Sequence, residues 1–223
     1  MVELKVDIRP SRATSGVVST PFDDALEELK RNNFELIPLS QNAELRFLQG
    51  TSSHISLTGN YVKEGVMSIP NKGIYLLRNS PLLLLELAKE AVISHRSREE
   101  YFFSEKSTKQ YFEKISESQE SEVFPLVNLE AINTDKFNID KRALWLFGNQ
   151  AEPYGRFLYD NGIKEMHLKF PSQNYINQQE SSFINQLFFR KLFCGGSSSL
   201  EGYDKNLHYG GGVRGIVFNP LSN

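Results

Sequence analysis

Between the apolar run Phe183 to Phe193 and the strand-like segment Val213 to Phe218 lies a stretch built almost wholly from Gly, Ser, Tyr, Asn, Asp and His: Cys194 to Gly215, CGGSSSLEGYDKNLHYGGGVRG. Both flanks read as core, so the backbone must leave a packed interior, follow a long polar path and return. A loop that long inside a compact domain is either functional or disordered. Disorder is the weaker option, because Leu200, Leu207 and Val213 recur along it as apolar pins. Its composition suits molecular contact: Tyr supplies rigid amphipathic area, while Ser, Gly and Asn supply adaptable hydrogen bonding. The stretch reads as a binding surface.

The rest of the chain limits what such a surface serves. With 223 residues it has room for one large domain or two small ones, with a core that needs no staples. A net charge of −2 and a pI of about 6.1 give no general affinity for nucleic acid or an anionic membrane. The single cysteine, Cys194, excludes an internal disulfide framework and an all-cysteine metal site. The opening MVELKVDIRP has no apolar signal region, and the longest apolar run, Leu82 to Leu85, is far short of a membrane span. The expectation is a soluble protein, cytoplasmic by default, with no membrane insertion.

Local patterning predicts an α+β chain. Alternation gives a strand over Val2 to Ile8, followed by a Ser/Thr/Gly-rich loop. Thr20 as N-cap, Pro21 at the first helical position and Asp23 and Asp24 in the first turn predict a helix to about Lys30, stopped at Asn32-Asn33. Next come a short strand at Phe34 to Leu39 and a helical turn or two over Asn42 to Leu48, ending at Gly50. His54 to Leu77 reads as antiparallel strands, with turns at Thr58-Gly59-Asn60 and Asn71-Lys72-Gly73. Ser80-Pro81 opens a long helix carrying Leu84, Leu87, Ala88, Ala91 and Val92 on one stripe. The polar segment Ser104 to Ser121 reads as helical, and its SESQES tail is the best linker candidate for a division into 1–120 and 121–223, with a solvated surface helix and loop as the simpler reading. Beyond it, strands are expected over Val123 to Ile132, Ala143 to Phe147 and Ile163 to Phe170. A helix is expected over Gln150 to Asp160, closed by a left-handed Asn161-Gly162. Ser182 to Leu192 is dense enough to be core, but period alone does not separate helix from strand there.

Reactive chemistry is sparse. His54, His95, His167 and His208 are scattered without ligand-type spacing, so no metal is expected. The pairs Asp23-Asp24, Glu27-Glu28 and Glu99-Glu100 read as solvated helix faces. An enzyme would have to use Glu152, just inside a helix, or Glu165, in a faint carboxylate-and-lysine pattern ending at Lys169; for Glu152 a favourable charge at a helix start is the simpler account. Gly195-Gly196 and Gly210-Gly211-Gly212 lack the Lys-Ser/Thr and following helix of a phosphate loop. Cys194 has no His or acid in a nucleophile context.

Three features occur in order in the second half: Ala151-Glu152-Pro153-Tyr154-Gly155-Arg156-Phe157-Leu158 with Asn161-Gly162; Leu187-Phe188-Phe189-Arg190-Lys191-Leu192; and a Gly/Ser-rich loop closing on Val213-Arg214-Gly215. This order resembles the C-type lectin fold of the formylglycine-generating-enzyme type, and within it the variable proteins of diversity-generating retroelements. The resemblance covers roughly the last hundred residues and implies a small twisted antiparallel sheet with helices over 121–223; residues 1–120, which it does not reach, read as an α+β extension or subdomain packed on it. It implies a non-catalytic protein that binds a macromolecular ligand, a protein, and needs no cofactor. The enzyme branch uses a pair of cysteines, and this chain has one.

The resemblance also implies that adenines of Asn codons are scrambled, which yields Asn, Asp, Ser, Gly, Tyr, His, Cys and some apolar residues, but never Lys, Glu, Gln, Met, Trp or a stop. Cys194, Gly195, Ser198, Tyr203, Asp204, Asn206, His208, Tyr209, Gly210, Gly211 and Gly212 are all reachable and become the implied ligand-binding positions. Glu201 and Lys205 are not reachable. Leu200, Gly202, Leu207, Val213, Arg214 and Gly215 take the part of a fixed scaffold. Tyr203, His208 and Tyr209 are the expected anchors, since aromatic residues dominate binding hot spots.

Overall fold

The computed structural model describes residues 3–8, 13–117, 122–192, 197–203, 206–209 and 212–218. Strand β1 (Lys5–Ile8) is followed by a second strand, β2 (Ala13–Ser19), where a loop was expected. Helix α1 (Phe22–Arg31) begins behind Pro21, not Thr20, whose hydroxyl donates to Pro21 O. Its acidic first turn, Asp23 and Asp24, and basic last turn, Lys30 and Arg31, suit the helix dipole. After β3 (Glu35–Leu36), helix α2 (Leu39–Gln49) starts earlier than its apolar spacing suggests. The carboxylate of Glu64 supplies the cap from a distance, accepting Leu39 N–H at 2.9 Å.

A short helix, α3 (His54–Leu57), replaces the first part of the expected strand region, and the hairpin β4 (Asn60–Ile69) and β5 (Gly73–Leu77) follows. Its turn holds Asn71 at φ 60° and Gly73 at φ 110°. Ser80 accepts from Leu82 N–H and opens a 3-10 turn, so helix α4 (Leu85–Arg96) begins one turn late. Strand β6 (Tyr101–Phe103), helix α5 (Glu105–Glu117) and strands β7 (Val123–Leu126) and β8 (Ile132–Asn133) come next; residues 118–121 of the linker candidate lie outside the described residues.

Helix α6 (Lys141–Phe147) stands where a strand was expected. Asp140 explains the difference, because its side chain accepts from Arg142 N–H and Ala143 N–H and nucleates a helix from a run too short to show its period. The chain ends with α7 (Ala151–Asp160), β9 (Glu165–Lys169), α8 (Gln173–Asn177), β10 (Ser182–Phe189), β11 (Ser198–Glu201) and β12 (Gly212–Phe218).

One mixed sheet joins these strands in the order β1-β2-β12-β4-β10-β11-β9-β8, with β3 on β12, β5 on β4, β7 on β5 and β6 on β10. Most pairs are antiparallel, but β11 runs parallel to β9 (Ser198↔Met166 to Glu201↔Lys169) and β12 meets β4 in parallel at Val213↔Tyr61. The expected division at residue 120 cuts this sheet, since β4 of the first half lies between β12 and β10 of the second.

Both faces are covered. Phe147, Tyr154, Leu187 and Phe189 pack with α2, α6 and α7 on one side, and Phe22, Leu29, Tyr61, Val92 and Ile184 pack with α1 and α4 on the other. Burial on two faces is why β10 shows no readable alternation: Phe183, Ile184, Asn185, Gln186, Leu187 and Phe189 are all buried. Among the described residues no helix is long and apolar enough to cross a membrane.

Candidate functional site

The polar stretch leaves the core at the end of β10, where Leu192 N–H donates to Ser56 O at 2.7 Å. It returns to the interior at once as β11, whose residues Ser198, Ser199, Leu200 and Glu201 are all buried. Glu201 is held between Arg190 Nε at 2.7 Å and Lys169 Nζ at 3.1 Å. The next residue, Gly202, donates to Lys169 O at 2.9 Å, and a side chain there would run into Phe170 and Val66.

Past this point the chain alternates between solvent and core. Tyr203 is 44% exposed and Tyr209 60% exposed, while Leu207 between them is 0% exposed. Asn206 is exposed and His208 half-buried. The Leu207 carbonyl accepts from Phe22 N–H at 2.8 Å, and Tyr209 N–H closes a turn on Asn206 O at 2.9 Å. The His208 and Tyr209 rings lie 4.0 Å apart at 41°. The enclosed His208 Nδ1 finds no hydrogen-bond partner among the described residues. Tyr203 meets Tyr175 of α8 edge-on at 5.5 Å. Tyr175 in turn donates its hydroxyl to Glu100 Oε1 at 2.7 Å. Desolvation first, then that carboxylate, push the Tyr175 phenol well above its ordinary range.

Tyr203, Asn206, His208 and Tyr209 therefore share one outward-facing segment, and the three pins Leu200, Leu207 and Val213 are fully buried beneath it. Two of the expected positions are placed differently. Ser198 is fully buried in β11, with its hydroxyl towards Tyr154. Gly212 begins β12 where a side chain would meet Gly59 O at 2.7 Å. At both positions strand pairing continues further into the polar stretch than its composition suggests. Cys194, Gly195, Asp204, Gly210 and Gly211 lie outside the described residues. Tyr175 was missed, and Glu100, read as part of a solvated helix face, is instead buried just before β6; nothing in the chain around either marks a partner from another element.

The carboxylates an enzyme would need are dispersed. Glu152 is exposed and pairs with Arg156 at 3.3 Å one helical turn away, beside an open hollow of about 290 Å³ that also holds Asp135 and Asp160. Glu165 is exposed on β9. A larger hollow of about 680 Å³ between the β4–β5 hairpin and α5 contains none of the expected site residues. Among the described residues no group of three or more His, Cys, Asp or Glu could hold a metal ion.

No protein-family model and no curated protein matches the chain. The structure is similar to a solved chain described under "accommodation of massive sequence variation in Nanoarchaeota by the C-type lectin fold", with a TM-score of 0.63 at 10% sequence identity. The match covers 93% of this chain and 97% of that one. The chain has a C-type lectin fold, and the likeness runs through both halves instead of stopping at residue 121.

Proposed function

We propose that this chain is a non-catalytic binding protein that grips a protein ligand through Tyr203, Asn206, His208 and Tyr209, and that these positions are diversified by adenine mutagenesis from a retroelement. The observation that carries the reading is the alternation around Leu207: exposed tyrosines on either side of a residue with no exposure at all. Such a mount lets side chains change at the surface without disturbing the packing that fixes the backbone, so binding loses little ordering entropy.

Residue types support the same reading. Exposed Tyr203, Asn206 and Tyr209 and half-buried His208 are all reachable from Asn codons, whereas unreachable Glu201 is buried in an ion pair. The similar solved chain, a fold described as accommodating sequence variation, adds to it.

The test uses a displayed library of folded protein fragments, panned on the immobilised protein. Clones enriched on the native chain should lose about tenfold or more in affinity on the Tyr203→Ala/Tyr209→Ala double variant. The thermal midpoint of that variant should move by no more than about 2 °C, because both side chains are largely outside the core. Retained affinity would contradict the assignment of the surface; a collapsed midpoint would show the tyrosines to be structural.

A further inference from the structure

Two arginines, Arg46 of α2 and Arg214 of β12, are 0% exposed. Arg46 donates from Nη1 to Arg190 O at 2.7 Å, and from Nη2 to Phe189 O and Thr58 O, each at 3.2 Å. Its guanidinium lies 3.8 Å over the Phe189 ring. Among the described residues no carboxylate pairs with it, and its Nε has no partner. Arg214 donates from Nε to Asn60 Oδ1 at 3.1 Å, from Nη1 to Ser15 Oγ at 3.1 Å, and from Nη2 to His54 Nδ1 at 3.2 Å. Arg46 thus holds the stem by which the polar stretch leaves β10, and Arg214 sits in the stem by which it returns. Both reach the same corner, residues 54–60, which run from α3 into the start of β4. Backbone contacts agree: Leu192 N–H is bonded to Ser56 O, and Gly212 packs on Gly59 O.

Burying a guanidinium is expensive, and an apolar side chain of similar volume would fill the space without that penalty. An apolar residue cannot tie together carbonyls of two separate segments, the end of β10 and the turn after α3, as the planar fork of Arg46 does. We infer that Arg46 and Arg214 are positioning residues of the binding face, fastening both stems of the loop to the 54–60 corner so that the exposed residues can be exchanged without moving the backbone. This gives the first half of the chain a part in the site. The inference rests on the proposed function only in calling the loop a binding face.

Hydrogen exchange of the full chain, resolved by residue, tests it without any ligand. Arg46→Met should speed exchange at the Arg190 and Leu192 amides by about tenfold or more, while Ala25 in α1 and Ile163 after α7 change by less than about threefold. Arg214→Met should act likewise on Phe22, bonded to Leu207 O, and on Ile37, bonded to Arg214 O. The surface triple variant Tyr203→Ser/Asn206→Ser/Tyr209→Ser should leave all of these within about threefold of the native chain. If either methionine variant fails to fold, Arg46→Lys and Arg214→Lys, which keep the charge and lose the fork, should show the same pattern at smaller amplitude. Uniform acceleration across the chain, unchanged stems, or stems opened by the surface triple would each overturn the inference. Failed ligand capture with correctly ordered exchange would instead count against the binding reading alone.

Discussion

Glu64 accepts the Leu39 N–H at 2.9 Å and has Arg78 Nη1 at 3.8 Å, yet its side chain is 1% exposed. Burial dominates and raises its pKa from 4.5 to about 7, against the Leu39 hydrogen bond and the Arg78 charge, which pull it down. A folded-state value above the unfolded one stabilises the fold at low pH, and that contribution is lost as pH rises from 4.5 through about 7. Glu64→Gln keeps an acceptor for Leu39 and removes the charge. It should flatten the thermal midpoint across that window and exceed the native chain above it; an unchanged slope would contradict this. In the loop, Leu207→Ala should cost about 2–5 kcal/mol in chemical denaturation, because it empties a filled site. Exposed Tyr209→Ala should stay within about 0.5 kcal/mol. The pins were legible because apolar residues are rare in that stretch. Arg46 was not, since its Arg190 carbonyl partner lies 144 residues away in the chain.

Elements were readable where a C-terminal stop and a long amphipathic period agreed, as in α1 before Asn32-Asn33 and α7 before Asn161-Gly162, and misread where an unrecognised cap or a distant pairing decided. Ala143 to Phe147 looks like a short apolar strand until Asp140 is seen capping it. β2 reads as a loop because its residues, ATSGVVS, are small; its pairing with β12 along the whole strand, from Gly212↔Ser19 to Phe218↔Ala13, makes it a strand. Asp140→Ala should therefore destabilise α6 and the fold by about 1–2 kcal/mol. Desolvation acts to raise the Asp140 pKa, but hydrogen bonds from Arg142 and the Ala143 N–H, with the Arg142 charge, together hold it below 3.8. Its contribution is present above 3.8 and fades as pH falls through the depressed value, so the gap between native and variant midpoints should close in strong acid. A gap independent of pH would assign the effect to packing.

At the scale of the whole molecule, the resemblance visible in the sequence covered only the second half, because its landmarks are local and in order there. The first half enters the same sheet through distant pairings, such as Phe183↔Ser68 and Val213↔Tyr61, that leave no local trace. Residues 121–223 expressed alone should lack cooperative unfolding by calorimetry, since the strand between β12 and β10 would be missing; a cooperative transition would show an independent domain. The claim that an exchangeable face stands on a fixed mount is tested most directly by sequencing the 3′ end of this gene across a natural population. The account predicts substitutions concentrated at the codons for Tyr203, Asn206, His208 and Tyr209, with Leu200, Glu201, Leu207, Val213 and Arg214 unchanged. Substitutions spread evenly over exposed and buried positions would contradict it.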